Sequence, residues 1–307
     1  MLFFFETIVS GLMAGVMYSL VALGFVLIFK ASGIFNFAQG VFALFAGLAL
    51  YDFISEDGWF NQLFGFPLPI WLGILATMAV MVIVAWLVER LVLRHLVNQE
   101  HIILFMSTIG LAYFMEGLGD TLFGSDVKPL NIGLPYGAVD YLLENYNFYI
   151  EKLEIVAAIV AAGLVFVLAL FFQKTRIGRA LRAVADDHQA ALSVGISLRT
   201  IWIVVWSVSG FVALVAGIMW GSKSGIQFSL SLIALKALPV LILGGFTSVP
   251  GAIVGGLIIG VGEKVAEIYA GPYIGGAIEN WFAYMLALVF LLVRPQGLFG
   301  EKIIERV

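Results

Sequence analysis

Five polar side chains stand inside stretches that are otherwise apolar: Asn36 and Gln39 in NFAQG, Glu116 and Asp120 in MEGLGD, and Lys236 in ALKALPV. Asn36 and Gln39 are three apart, Glu116 and Asp120 four apart, so each pair is expected to share one face of a helix. Polar and ionisable groups in hydrocarbon are costly, and mark either a path for a solute or ion or a tie between helices. Such ties are worth about 1 kcal/mol each. For Lys236 the expectation is a tie or a side chain that snorkels to an interface. His95, His101 and His188 form no metal-ligand spacing with one another or with a carboxylate cluster. The sequence has no cysteine and no GxxxxGK[ST] phosphate loop. Neither enzyme chemistry nor a cofactor is expected on this chain, and any ATP that drives it must be bound by another.

The elements around these residues are set by composition. Of 307 residues, 62% are hydrophobic and 12% charged, and apolar runs of about 20 residues recur, each enough for a helix to cross a ~30 Å hydrocarbon layer. The runs are continuous rather than alternating, which favours helices over a barrel. The expected class is all-α, a polytopic transmembrane bundle of eight or nine spans. They fall near 8–29, 35–54, 68–93, 101–123, 151–172, 200–222, 226–246, 250–269 and 277–294. The seventh is interrupted by Lys236 and Pro239, and reads as a full crossing, a broken helix or a re-entrant segment. The start, MLFFFETIVSG, has no positive charge before its apolar run, and reads as the beginning of the first span rather than a cleaved signal. Residues 1–307 are expected to form one membrane domain.

Loop charge sets the expected orientation. Arg90–His95, the 173–199 segment and the tail with Arg294, Lys302 and Arg306 are basic, whereas 55–67 and 124–150 are acidic. Basic loops stay cytoplasmic, and nine crossings with the N-terminus outside and the C-terminus inside satisfy every loop. Glycine recurs at helical spacing: Gly11/Gly15, Gly217/Gly221, Gly251/Gly255 and Gly256/Gly260, with Gly244 and Gly245 nearby. Small-xxx-small pairs let helix backbones approach closely in lipid.

Residues 173–199 hold Lys174, Arg176, Arg179, Arg182 and Arg199, with Asp186, Asp187 and His188 beside them. At 100° per residue, Ile177, Ala180, Leu181, Val184, Ala185, His188, Ala191 and Leu192 share one face. Arg176, Arg179, Arg182, Asp186, Gln189 and Ser193 share the other. The pattern predicts an amphipathic helix of about five turns that stops at Gly195. It reads either as a helix on anionic lipid or, given its acids, as a surface for a protein of mixed charge.

Four stretches carry a resemblance to a known family: GLMAGVMYSLVALGFVLIF followed by NFAQG, TRIGRALRAVADDHQAALSVGI at 175–196, LKALPVLILGGFTSVPGAIVGGLIIG at 235–260, and LVRPQGLFG at 292–300. In this order and spacing, the chain resembles along its whole length the permease subunits of branched-chain amino acid ABC importers (the LivH/LivM type, with a LivH-like subunit expected). Relatives of that family include urea and amide permeases. The resemblance implies a bacterial inner-membrane subunit that pairs with a second, similar permease. It also implies two cytoplasmic ATPase subunits that carry ATP and Mg, and a periplasmic solute-binding protein. In such permeases a cytoplasmic helix with an EAAxxxG pattern docks on the ATPase. Gln189-Ala190-Ala191 and Gly195 fit it with glutamine in place of glutamate, and small residues at 190 and 191 would permit close approach. The docking residues implied are thus Arg179, Arg182, Asp186, Gln189, Ala190, Ala191 and Gly195. Where the family commonly has a glutamine–asparagine pair near 115–117, this chain has Glu116-Gly117, which bears on ligand choice or on a salt bridge with the second permease.

The function expected is inward movement of a small solute, a branched-chain or other apolar amino acid, by alternating access along a path near Asn36, Gln39, Glu116 and Asp120. Urea, amides or small organic acids are the alternative cargo. A secondary transporter or channel that uses Glu116 and Asp120 is the alternative of another class. No nucleic-acid partner is expected.

Overall fold

The computed structural model describes residues 2–96, 99–146, 148–186 and 188–300. In chain order the helices are α1 (Leu2–Ser32), α2 (Gln39–Ile54), α3 (Trp59–Phe64), α4 (Ile70–Leu91), α5 (His101–Phe123), α6 (Asp140–Tyr146) and α7 (Lys152–Lys174). They continue with α8 (Arg176–Asp186), α9 (His188–Ser193), α10 (Leu198–Ser224), α11 (Ile233–Gly244), α12 (Val249–Tyr269), α13 (Gly271–Ile274) and α14 (Glu279–Val293). The protein is a polytopic helical membrane protein. Among the described residues six helices, α1, α4, α5, α7, α10 and α12, are long and apolar enough to span a membrane.

The other three expected spans are shorter. Helix α2 has 16 residues and α14 has 15. The 226–246 stretch begins as a 3-10 turn at Phe228–Leu232 and becomes the 12-residue α11, with Pro239 inside it. At 1.5 Å per residue α11 is about 18 Å long, short of a ~30 Å hydrocarbon layer. The 3-10 turn runs directly into α11, so the stretch is one helical run over Phe228–Gly244.

The chain divides into two compact units, and the divisions at 26/27 and 165/166 fall inside α1 and α7. The first unit comprises residues 1–26, 134–165 and 233–307. Its core is backbone against backbone. A Cβ on Gly15 would meet the carbonyl of Gly256, and one on Gly260 would meet Gly11 and Gly15, so α1 and α12 approach at glycine on both sides. Ser19 adds a tie across the same contact, its hydroxyl donating to the Ala252 carbonyl at 3.1 Å. On its other side α12 meets α11 in the same manner, Gly251 and Gly255 against Gly244. Helix α12 starts where Ser248 Oγ accepts from Gly251 N–H at 3.0 Å, with Pro250 in its first turn, where a missing N–H is harmless. The tail folds back here: Leu298 and Phe299 N–H donate to the carbonyls of Leu243 and Gly244 at 2.8 and 3.1 Å. The LVRPQGLFG and LILGGF stretches are therefore one structural contact.

The second unit comprises residues 27–133 and 166–232. Helix α10 lies at its centre, packed on α2 and α4. Trp206, fully buried, stacks edge-on against Phe42 at 5.7 Å. A Cβ on Gly217 would meet the Ala43 carbonyl, and one on Gly210 would sit 3.1 Å from Met81 Cβ. The partner of Gly221 is not a second helix backbone but the Ile226 side chain just beyond the end of α10.

Because the α1–α12 contact is made by backbone, even one methyl group overfills it. Gly256→Ala is expected to destabilise the protein by about 1–3 kcal/mol, the range of overpacked cores. Gly163→Ala, whose Cβ meets nothing within 4 Å, should be neutral. Thermal unfolding midpoints in detergent check this, and equal midpoints for the two variants would contradict the backbone contact.

Candidate functional site

Asn36 and Gln39 do not share a helical face, because α2 begins only at Gln39. Helix α1 ends at Ser32, whose hydroxyl accepts from Ile34 N–H at 3.2 Å, and Gly33 takes a positive φ of 67°. Asn36 then sits in the turn between the helices and accepts from Ala38 N–H at 3.1 Å, the local bond that asparagine makes where a helix has not yet begun. The turn is clamped from two sides. Thr108 of α5 accepts from Phe37 N–H at 3.0 Å and donates to the Phe35 carbonyl at 3.1 Å. Ser209 of α10 donates to Gln39 Oε1 at 2.8 Å, and the Gln39 amide donates back to the Ser209 carbonyl at 3.4 Å. Asn36, Gln39, Thr108 and Ser209 are each at most 1% exposed. Backbone groups freed by this break, the Ile34, Phe37 and Ala38 N–H groups and the Phe35 carbonyl, are thus satisfied by protein, as membrane depth requires.

Glu116 and Asp120 do share a face of α5, and it is a different kind of place. The open side of this helix carries Met106, Gly110, Tyr113, Gly117 and Asp120, with Tyr113 70% exposed. Glu116 lies at the edge of that side, half-buried, and its Oε1 accepts from Ser231 at 3.5 Å. No hydrogen bond among the described residues joins Glu116 or Asp120 to Asn36 or Gln39. The sequence pairs are therefore two sites: one closed and internally bonded, the other open.

Lys236 does not snorkel. Its ammonium lies 3.1 Å from Glu263 Oε1, 3.3 Å from the Tyr18 hydroxyl and 3.8 Å from Glu279 Oε2, while Glu279 Oε1 pairs with Lys264 at 2.6 Å. Signs alternate along this set, which draws on α1, α11, α12 and α14 and is neutral as a whole. Glu263 is 1% exposed. Sequence reading passed over these partners because GEKVAE near the end of a span looks interfacial, while the geometry turns Glu263 inward.

Within the 173–199 segment, helix is described over Arg176–Asp186 (α8) and His188–Ser193 (α9), on either side of residue 187, which lies outside the described residues. The turn into α8 is built from TRIG. Thr175 Oγ1 donates to the Phe171 carbonyl at 2.6 Å and accepts from Gly178 N–H at 2.9 Å, ending α7 and capping α8. A side chain at 178 would lie 2.5 Å from the Phe171 and Phe172 carbonyls, so the sharp reversal needs glycine. Arg182 donates to the Phe172 carbonyl at 2.7 Å. At the other end Gly195 takes a φ of 83°, and Ile196 N–H donates to the Ala191 carbonyl at 3.0 Å, a left-handed helix stop.

Leu181, Val184 and Ala191 are buried, whereas Arg176, Arg179, Arg182, Leu192 and Val194 are exposed, Val194 at 75%. Ala191 therefore packs within its own chain and is not offered to a partner, and Leu192 lies outside the buried face. Asp187 and the side chains of Asp186, Gln189 and Ala190 lie outside the described residues, as do Lys302 and Arg306 of the tail. Among the described residues there is no cluster of three metal-ligating side chains.

The charge set yields a test. Lys236→Met leaves Glu263 buried without its cation, and breaking a buried pair costs about 3–5 kcal/mol, less here because Lys236 is partly exposed. Pairing it with Glu263→Leu should recover most of that loss in a thermal-unfolding series. A double variant no more stable than the single would contradict the pairing.

Comparison with known proteins bears on the whole chain. The family model described as "Branched-chain amino acid transport system / permease component" matches residues 7–294. The chain is 27% identical over 316 aligned residues to the high-affinity branched-chain amino acid transport system permease protein LivH of Escherichia coli K12, covering 100% of this chain and 98% of that one. It is 28% identical over 312 residues to BraD of Pseudomonas aeruginosa, a permease protein of the same description, covering 99% and 98%. A probable branched-chain amino acid transport permease protein of Methanocaldococcus jannaschii is 25% identical over 290 residues, covering 92% and 88%. With a family model spanning nearly its full length and a polytopic helical fold, the chain belongs to the family of branched-chain amino acid transport system permease components.

Proposed function

We propose that this chain is the pore-forming subunit of an ATP-driven importer that moves a small solute inward by alternating access. The observation that carries this reading is the exposed side of the 176–194 segment, with Arg176, Arg179 and Arg182 on α8 and Leu192 and Val194 at and just beyond the end of α9, on a chain with no phosphate loop. Apolar side chains flanked by charge, on a segment fixed at both ends by capped turns, suit a protein partner better than a lipid surface. That partner is the ATPase subunit. Arg179, Leu192 and Val194 make the contact, while Ala191 and Gly195 shape the segment from within. The assembly contains two ATPase subunits with ATP and Mg, a second homologous permease and a solute-binding protein. The chain sits in the inner membrane of a bacterial cell with the 173–199 segment and the C-terminus in the cytoplasm, a reading supported by their basic charge.

The solute path runs along the open side of α5. Carboxylates in a membrane span face a bundle interior or a water-filled cavity, not lipid, so Glu116 and Asp120 face the second permease across the path. Asn36 and Gln39 support the path from behind by holding the α1–α2 turn closed. The cargo is a branched-chain or other apolar amino acid, a reading supported by the similarity to LivH and BraD, which are permease proteins of branched-chain amino acid transport systems. The negative charge at Glu116 makes a polar group on the solute part of its recognition.

The docking face is tested by replacing Leu192 and Val194 together with glutamate. Both side chains point outward, so the chain should still insert and fold. Uptake by the full complex should fall by about 10-fold or more, as loss of apolar anchors at an interface centre does, and the ATPase should no longer co-purify. Parental uptake with the ATPase retained would overturn the docking assignment.

A further inference from the structure

Helix α10 leaves the docking segment and carries, on one face, Arg199, Trp202, Trp206, Ser209 and Gly217. The last four are buried, and spacings of three, four and eight keep them in line. Trp206 touches α2 at Phe42, Ser209 bonds Gln39, and Gly217 meets the backbone of α2 at Ala43. Helix α4 runs along the same side, with Gly73, Thr77, Met81, Ala85, Val88 and Glu89 buried. Its last buried residue is a carboxylate. Glu89 is 2% exposed, and its Oε2 accepts no hydrogen bond among the described residues. Arg199 Nε lies 3.5 Å from that oxygen.

A half-exposed arginine paired with a surface acid would be worth little. Here the acid is enclosed between helices, and the described residues give it no other cation. The pair also stands at a particular place. Arg199 is in the first turn of α10, two residues past the Ser197 cap that follows the Gly195 stop. Glu89 is in the last turn of α4. Between α9 and α10 the chain has only four residues, 194–197, with which to absorb a displacement.

We propose that Arg199 and Glu89 form a coupling latch, an ion pair that fixes the start of α10 to the end of α4. A shift of α8 and α9 then moves α10 together with α4 and α2, instead of being lost in the turn at 194–197. Arg199 and Glu89 are positioning residues; neither touches solute or nucleotide. The proposal rests on the docking role given above to α8 and α9.

The test uses the full complex of both permeases, the ATPase chains and loaded binding protein in liposomes, and reads solute imported per ATP hydrolysed. Arg199→Gln and Glu89→Gln should each lower this ratio about 5-fold, within the range produced by residues along a coupled path, while ATP hydrolysis continues. Arg199→Lys should restore at least half of the parental ratio, since it keeps the charge. If Glu89→Gln does not assemble, the Arg199 variants alone decide, because that side chain is half exposed. A parental ratio in Arg199→Gln, or a parallel fall of uptake and hydrolysis that leaves the ratio unchanged, would overturn the latch. Failure of the docking role itself is seen separately: the Leu192 and Val194 double variant would then keep its ATPase and its uptake.

Discussion

In hydrocarbon an apolar side chain gains nothing by leaving lipid for protein, and a backbone amide finds no water. Both consequences govern this chain. Helices must be held by close approach and by polar bonds that no solvent competes for, and every break in a helix must be satisfied from within. In the unit built from α11, α12, α14 and the start of α1, close approach does the first task. Gly15 on Gly256 and Gly244 on Gly251 bring backbones together, and the Lys236–Glu263 pair supplies the polar bond. In the unit centred on α10, the break at residues 33–38 is satisfied by Thr108, Ser209 and Asn36.

These two solutions divide the polar residues by role. Asn36 and Gln39 are spent on their own backbone and on α10, so they have no free group for a solute. Asp120 lies on the open side of α5 with Glu116 at its edge, where one carboxylate oxygen of Glu116 accepts from Ser231. Helix α10 joins the closed turn to the basic segment: the middle of its buried face holds Gln39 through Ser209, and its start follows that segment. A permease that is moved by a partner needs such a member, because packed helices shift as bodies rather than deform.

Much of this was legible in sequence, and what was missed has physical causes. Hydropathy located the long helices because each meets the same ~30 Å requirement, and Gly195 was readable as a stop because a left-handed residue after a helix favours glycine. NFAQG misled because spacing of three reads as a helical face, whereas Asn36 bonds to the backbone two residues on and delays the helix to Gln39. For Lys236 a tie stood beside snorkelling with its partner unnamed, because Glu263 lies 27 residues away in sequence and no local pattern brings the two together. Arg199 and Glu89 are separated further still. Ala191 was placed at a partner's surface by motif alone. Helical projection sets it on the face of Leu181 and Val184, and all three are buried.

The central claim is that energy enters through α8 and α9 from another subunit. The most direct measurement is solute accumulation in liposomes by this chain alone, under inward proton and sodium gradients, against the complete complex with Mg-ATP. The chain alone should leave internal solute at the level of protein-free vesicles, and the complex should accumulate it only with ATP. Accumulation by the chain alone under either gradient would contradict the claim and make Glu116 and Asp120 the coupling site of a secondary transporter.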